Sequence, residues 1–141
     1  MEHIIFIRSD QSDAYYPNNS PFKFKVCLNE VLHLQGEWKL GILDFYIDQK
    51  VTKKNNHQLY LFCDVCSGVN VFPNIQYSLF RRIFPTDMST WNYIFSFPIY
   101  LPVKKNEIQV LEFLIKDEHG ENASFLKNNL SFTLQFIPSL F

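Results

Sequence analysis

The chain has 141 residues, of which 47% are hydrophobic, 17% aromatic and 19% charged, and its formal net charge is -1. This length fits one domain over residues 1–141, and the aromatic side chains suffice for a core without metal or disulfide staples, because each removes about 150–250 Å² from water when buried. Whole-chain disorder is therefore excluded. The composition also excludes glycine-rich phosphate loops, and the balanced charge provides no basic field for a nucleic-acid backbone.

Apolar residues recur mostly with a period of two, which places them on one face of an extended strand and predicts an all-β protein. In chain order the predicted strands are 4–7, 22–28, 38–47, 59–65, 75–84, 91–97, 108–115 and 130–136. Alternation is clearest in four of them, where one face carries Phe22, Phe24, Val26 and Leu28; Leu59, Leu61, Cys63 and Val65; Trp91, Tyr93, Phe95 and Phe97; or Leu130, Phe132, Leu134 and Phe136. The other four are apolar at both parities, as in central strands or strands that meet a neighbouring subunit.

Turn chemistry separates the predicted strands. Polar or breaking segments occur at Asp13–Pro21, Lys53–Asn56, Pro85–Ser89 and Asp117–Gly120, and the last ends on a glycine where the chain needs a positive φ. The segment Ala123–Lys127 is predicted to form a short helical turn.

Eight strands on a short chain favour a single jelly-roll sandwich of two four-stranded antiparallel sheets. An immunoglobulin-like sandwich is the alternative, although its cysteine-tryptophan-cysteine spacing is not evident in this sequence.

The three cysteines, Cys27, Cys63 and Cys66, are an odd number, which argues for reduced thiols. Cys63 and Cys66 have the spacing of a redox pair or half of a zinc site. No helical pattern follows them and no further ligands stand near them in sequence. We interpret them as small residues on or beside a strand.

Histidines and carboxylates are scattered along the sequence. The histidines are His3, His33, His57 and His119, and the carboxylates in or at the ends of predicted strands are Asp44, Asp64, Glu112 and Asp117. A metal-dependent jelly-roll enzyme would typically carry a His-x-His pair, and the sequence has neither that pair nor a Gly-x-Ser-x-Gly elbow. We therefore interpret the carboxylates as strand-end or outward-facing charges and predict no catalytic residue, cofactor or metal.

Basic residues occur as three pairs, Lys53-Lys54, Arg81-Arg82 and Lys104-Lys105. Such pairs at strand ends are typically solubilising, and acids elsewhere balance them, so nucleic acid is not expected as a partner. No apolar stretch approaches the roughly 20 residues that span a bilayer, and we expect neither a membrane span nor a secretory leader.

Five stretches of the sequence follow one another in an order found in a known family. They are Tyr16-Pro17-x-Asn19; a strand-loop-strand pattern from Phe22 to Leu43 around Gly36-x-Trp38; Tyr60-Leu61-Phe62-Cys63-Asp64; Arg81-x-Ile83-x-Pro85; and Phe97-Pro98-x-Tyr100-x-Pro102-Val103 with the apolar positions that follow it to Phe136. Together they resemble the single jelly-roll penton (minor capsid) proteins of Polinton/Maverick elements and the related adintoviruses. The segment Val69–Ser78 departs from the family pattern, as does the missing proline after Tyr46.

The resemblance implies a structural protein without enzymatic activity. Five copies would form a homopentamer at each five-fold vertex of an icosahedral capsid, beside a double jelly-roll major capsid protein, so the expected location is the virion. The matched positions that it implies for the core are Gly36, Trp38, Leu40, Phe62, Ile115, Leu134 and Phe136, with Gly36 permitting a tight turn. A rigid proline-containing loop would contact a neighbouring subunit through Pro98, Tyr100, Pro102 and Val103.

Two other classes of function stay open at this point. One is a carbohydrate- or receptor-binding jelly roll that acts alone, in which an exposed Trp91, Tyr15 or Tyr16 stacks on a sugar. The other is a cupin-like metal enzyme, which scattered histidines make the weaker alternative.

Overall fold

The structure is a computed structural model that describes residues 2–49, 58–68, 72, 75–84 and 91–139. These residues form nine β-strands and no helix, as the period-two alternation predicts. The strands are β1 (His3–Arg8), β2 (Lys23–His33), β3 (Trp38–Ile47), β4 (Leu59–Cys63), β5 (Ser78–Ile83), β6 (Trp91–Ile94), β7 (Tyr100–Pro102), β8 (Glu107–Lys116) and β9 (Leu130–Pro138). Because it contains no helix, this part of the chain has no helical segment able to cross a bilayer.

The strands form two antiparallel sheets that pack face to face. One sheet has the order β1-β9-β3-β6, with β7 also paired to β3, and the other has the order β2-β8-β4-β5. Between consecutive strands the chain crosses to the other sheet, except from β4 to β5 and from β6 to β7. This is a jelly-roll arrangement, which confirms the predicted fold class and displaces the immunoglobulin-like alternative.

The strand count differs from the prediction because one edge strand is interrupted. Both β6 and β7 pair antiparallel with β3, with Ile94 opposite Asp44 and Tyr100 opposite Gly41. They are therefore two halves of a single edge, separated by residues 95–99. The sheets have five and four strands instead of four each, and the segment predicted as a rigid loop contains the short strand β7.

The core between the sheets is built around four phenylalanine rings. Phe24 and Phe113 belong to the four-stranded sheet, and Phe45 and Phe132 belong to the five-stranded sheet. The ring centroids of Phe113 and Phe132 lie 4.9 Å apart in an edge-to-face arrangement, and those of Phe45 and Phe132 lie 6.1 Å apart. These contacts join the two layers, because alternate residues of each strand point inward.

The matched core positions are buried with one exception. The buried residues are Trp38, Leu40, Phe62, Ile115, Leu134 and Phe136. Phe62 points to the opposite face of β4 from its neighbour Leu61. The ring of Phe72 covers Phe62 on that face, with 6.2 Å between the two ring centroids. Gly36 instead is exposed in the turn before β3, where its φ of 85° takes the conformation that glycine tolerates best.

The predicted turns have mixed outcomes. Gly120 has a φ of 80°, as expected for the end of its turn, and Asp117 Oδ1 accepts a hydrogen bond from the backbone N–H of His119 at 2.8 Å. Ala123–Lys127 is not helical: Leu126 donates a backbone hydrogen bond to Ala123 O at 3.0 Å within an isolated turn. The predicted turns at 53–56 and 85–89 lie outside the described residues.

Candidate assembly surfaces

Among the described residues, the most exposed large apolar side chains lie where the β6–β7 edge is interrupted. We call residues 95–99 the crossing segment. Its first residue, Phe95, still pairs with β3, because the Phe95 N–H donates a hydrogen bond to Leu43 O at 2.9 Å, and the chain then leaves β3. Pro98 has no N–H with which to resume the ladder. Phe97, just before Pro98, is 89% exposed, and Ile94 is 77% exposed because it lies on the outward face at the end of β6. The sequence placed Phe97 on one face with the buried Trp91, which is wrong because the strand ends before Phe97.

Tyr100 is held against its own sheet. Its hydroxyl donates a hydrogen bond to Gln135 Oε1 at 2.5 Å, and its ring lies over Gly41, where a Cβ atom would be 2.7 Å from the ring. Gly41 therefore makes room for Tyr100. The side chain is half-buried, so one part of it is left for contact with another molecule.

Pro102 and Val103 continue the same edge. Pro102 is exposed and opposite Lys39, a position that proline tolerates on an edge strand. The Val103 N–H donates to Trp38 O at 2.9 Å. All the residues predicted to contact a neighbouring subunit thus lie on or beside one sheet edge, and their contact with a neighbour stays a prediction.

A groove runs along this flank between β5 and the β6–β7 edge. It has a volume of about 400 Å³, and apolar residues form most of its lining. We call it the arginine groove because Arg81 and Arg82 lie in it. The Arg81 guanidinium is 4.1 Å from the centroid of the Phe95 ring, and its Nη1 is buried with no hydrogen-bond partner among the described residues. Burial lowers the pKa of Arg81, yet an arginine keeps its charge at neutral pH.

The opposite flank has a second groove, between the edge strands β1 and β2. It has a volume of about 600 Å³ and is lined by His3, Ile5, Phe6, Gln11 and residues 27–33. A bulge in β2 between Cys27 and Leu32 shapes one wall and carries Glu30. We call this the β1/β2 groove. Phe6 is 75% exposed at its rim, and Glu30 forms no ion pair within the described part of the chain.

The outer face of the five-stranded sheet is polar in the middle and apolar at its edges. One row across it runs from Phe6 on β1 through Thr133 and Asp44 to Ile94 on β6. The Thr133 hydroxyl donates to Asp44 Oδ2 at 3.0 Å, so the central pair is satisfied internally. The exposed apolar side chains at both ends of the row, Phe6 and Ile94, lie at the two flanks of the sandwich.

The cysteine pair is part of the core. Cys63 in β4 and Cys66 just after it are both fully buried, and burial raises the pKa of the Cys63 thiol well above its usual value. Cys66 forms an isolated bridge with Val103. No cluster of three metal-ligating side chains occurs within residues 2–49, 58–68, 72, 75–84 and 91–139, and the predicted His57 lies outside them.

Two of the carboxylates take part in a hydrogen-bonded group beside β8. The Glu112 N–H donates to Asp64 Oδ1 at 3.0 Å, and the Tyr77 hydroxyl donates to Glu112 Oε2 at 2.7 Å. Burial raises the pKa of Asp64, and burial together with Glu112 raises the pKa of Tyr77. These bonds connect the end of β4, β8 and the residue before β5.

Of the three aromatic residues expected to stack on a sugar, Trp91, Tyr15 and Tyr16, only Tyr15 is well exposed. Trp91 is only 1% exposed, so the expectation that it is an exposed platform is wrong: it points inward opposite Ile47. Tyr16 is half-buried and the Lys25 ammonium lies 5.7 Å from its ring centroid. Tyr15, which is 76% exposed, keeps a free ring face on the protein surface.

Comparison with known proteins does not place the chain in a family: no protein-family model matches it, and no curated protein matches it. A proposal about its function therefore draws on the jelly-roll fold, the chemistry of the two flanks and the motif resemblance given above.

Proposed function

We propose that this protein is a structural subunit that assembles with copies of itself, as the penton at the five-fold vertices of an icosahedral capsid. The observation that carries the proposal is the exposed apolar crossing segment, with Phe97 at its tip, on the edge of a jelly roll. The motif resemblance supplies the capsid role, the double jelly-roll major capsid protein as a partner, and the virion as the location.

Exposed apolar groups at a sheet edge favour association. Proteins that stay monomeric usually protect sheet edges with charge and expose few contiguous apolar groups. Covering a large apolar side chain such as Phe97 or Ile94 contributes about 1.5–3 kcal/mol. Association itself costs an estimated 4–15 kcal/mol in lost translational and rotational freedom. One such contact is therefore weak by itself.

A closed ring removes this weakness because every subunit is held at two interfaces. Once neighbours are in place, the last contacts form at a high effective concentration. We therefore expect assembly to be steep in protein concentration, with monomers and complete rings as the main species. This behaviour suits a capsid vertex, whose subunits perform no reaction and need only a defined number of copies.

The test is the oligomeric state of the purified chain. Sedimentation velocity and negative-stain images across a concentration series should show five-membered rings, alone or after addition of the major capsid protein. A protein that stays monomeric up to about 1 mM, where even a contact of only about -4.1 kcal/mol would be half-formed, and that does not join capsids would contradict the proposal.

A further inference from the structure

We propose that two copies dock head to tail, with the crossing segment of one copy seated in the β1/β2 groove of the next and the arginine groove beside it facing Glu30. This inference rests on the proposed self-assembly and adds the two surfaces that meet. The occupant of the β1/β2 groove is therefore a second copy of this chain.

The two flanks are complementary in shape. On one side Phe97 and Ile94 project from the sheet edge. On the other side the β1/β2 groove is a concave site between two edge strands, with a volume of about 600 Å³. Phe6 and Val31 are exposed on its lining. The lining of this groove is about half polar, so an aromatic side chain entering it would leave water by packing on its apolar part, which includes Ile5, Phe6 and Val31.

The two flanks are also complementary in charge. The arginine groove presents Arg81 and Arg82, and its described lining contains no acid. The β1/β2 groove contains Glu30 as its one acidic lining residue. Its two histidines are already engaged: His3 stacks on the Trp38 ring, and His33 lies 3.5 Å from Glu107. A carboxylate of the next copy that reached the exposed Arg82 guanidinium would form a charge-assisted hydrogen bond there, whereas Arg81 Nη1 is buried beneath the surface.

Charge also argues against pairing of like flanks. If two arginine grooves met, four guanidinium groups would be brought together with no carboxylate from the described lining of either groove, and repulsion of this kind suppresses wrong partners. Since the arginine groove and the β1/β2 groove lie at opposite edges of both sheets, the contact between them is heterologous. A heterologous contact repeats from copy to copy, and it closes into a ring when the rotation between neighbouring copies adds up to a full turn.

The decisive experiment breaks one flank at a time. Phe97→Asp damages the projecting flank and keeps the groove, whereas Phe6→Asp damages the groove and keeps the projecting flank. Both side chains are highly exposed, so both variants should fold like the parent. Each variant alone should associate at least about tenfold more weakly, because every junction contains one damaged surface. An equimolar mixture should form dimers and nothing larger, since it offers one intact junction per pair.

The outcomes separate this inference from the proposed function. If the parent chain forms rings and Phe6→Asp alone still associates like the parent, the head-to-tail pairing is overturned while self-assembly stands. A parent chain that never associates overturns the proposed function and this inference with it. Tyr15→Asp is the matched control, because Tyr15 is about as exposed as Phe6 but lines neither groove. It should assemble like the parent.

A charge-reversal cycle tests the ion pairing independently. Glu30→Arg and Arg82→Glu should each weaken ring formation at least about tenfold, and the double variant should recover most of the loss. Both positions are exposed, so the melting temperatures should stay close to that of the parent. Single variants that assemble normally, or a double variant as weak as the singles, would show that these charges do not face each other.

Discussion

Replacing Phe132 by alanine should remove the ring that connects the two sheets. The side chain is 2% exposed, and its ring contacts both Phe113 across the sandwich and Phe45 in its own sheet. Truncation of a buried phenylalanine costs about 3–5 kcal/mol, because the transfer free energy of the ring is lost and a cavity remains. A domain of this kind has about 5–15 kcal/mol in total, so the variant should be marginally folded.

Urea unfolding followed by tryptophan fluorescence measures this cost, because Trp38 and Trp91 are both buried and change environment on unfolding. The measurement belongs at low protein concentration, where association does not add to the apparent stability. Phe132→Leu should lose less than about 1.5 kcal/mol because it fills most of the volume. Phe97→Ala deletes the same atoms from a side chain 89% exposed and should change stability by no more than about 0.5 kcal/mol. Equal losses at Phe132 and Phe97 would refute the placement of both rings.

Three other substitutions test single contacts of the sandwich. Trp38→Ala should also cost about 3–5 kcal/mol, because Trp38 is buried and stacks on His3, and an unchanged melting temperature would reject its place in the core. Gly41→Ala should cost about 1–3 kcal/mol, since its new Cβ would meet the Tyr100 ring at 2.7 Å; most of this cost should disappear in a Tyr100→Ala background. Asp64→Asn should raise the melting temperature at pH 7, because burial raises the pKa of Asp64 in the folded protein, so its ionisation destabilises the fold as pH rises from 3.8 through that raised pKa and by a constant amount above it. The advantage of the variant should vanish below pH 3.8, and an advantage that persisted there would have another cause.

The fold was predictable wherever the two faces of a strand differ. In β9 the residues Leu130, Phe132 and Leu134 point inward between polar neighbours, and the alternation alone identifies both the strand and its buried face. The same is true of the first half of β2, where Phe24 and Val26 alternate with lysines. Burial of one face is the physical cause of the pattern, so the pattern identifies it.

The interrupted edge was not predictable from alternation. Trp91, Tyr93, Phe95 and Phe97 continue one period-two pattern, yet the ladder is interrupted after Phe95 and the last ring turns outward. Alternation reports which side chains share a face while a strand lasts, and it does not report where the strand ends. Pro98 was the available signal, because a residue without an N–H interrupts hydrogen bonding to the neighbouring strand.

The two grooves could not be inferred from the sequence for a different reason. Arg81 and Arg82 are recognisable as a basic pair, but their neighbours in the groove come from the β6–β7 edge, which the jelly-roll topology brings beside β5. Glu30 likewise gains its position from a bulge in β2, where the register with β8 shifts. Such a bulge depends on long-range strand pairing, which local patterns do not contain.

The edges of this sandwich are built in a way that limits how copies can join. Exposed strand edges normally invite another strand to add through backbone hydrogen bonds, and such addition has no natural end. Here β7 carries Pro102, the crossing segment carries Pro98, and the bulges in β2 and β5 break the regular spacing of donors and acceptors. Backbone pairing between copies is therefore disfavoured at three of the four edges, while the apolar side chains beside them remain exposed. Association is left to side-chain docking between complementary flanks, which fixes one relative orientation and so allows a ring of defined size.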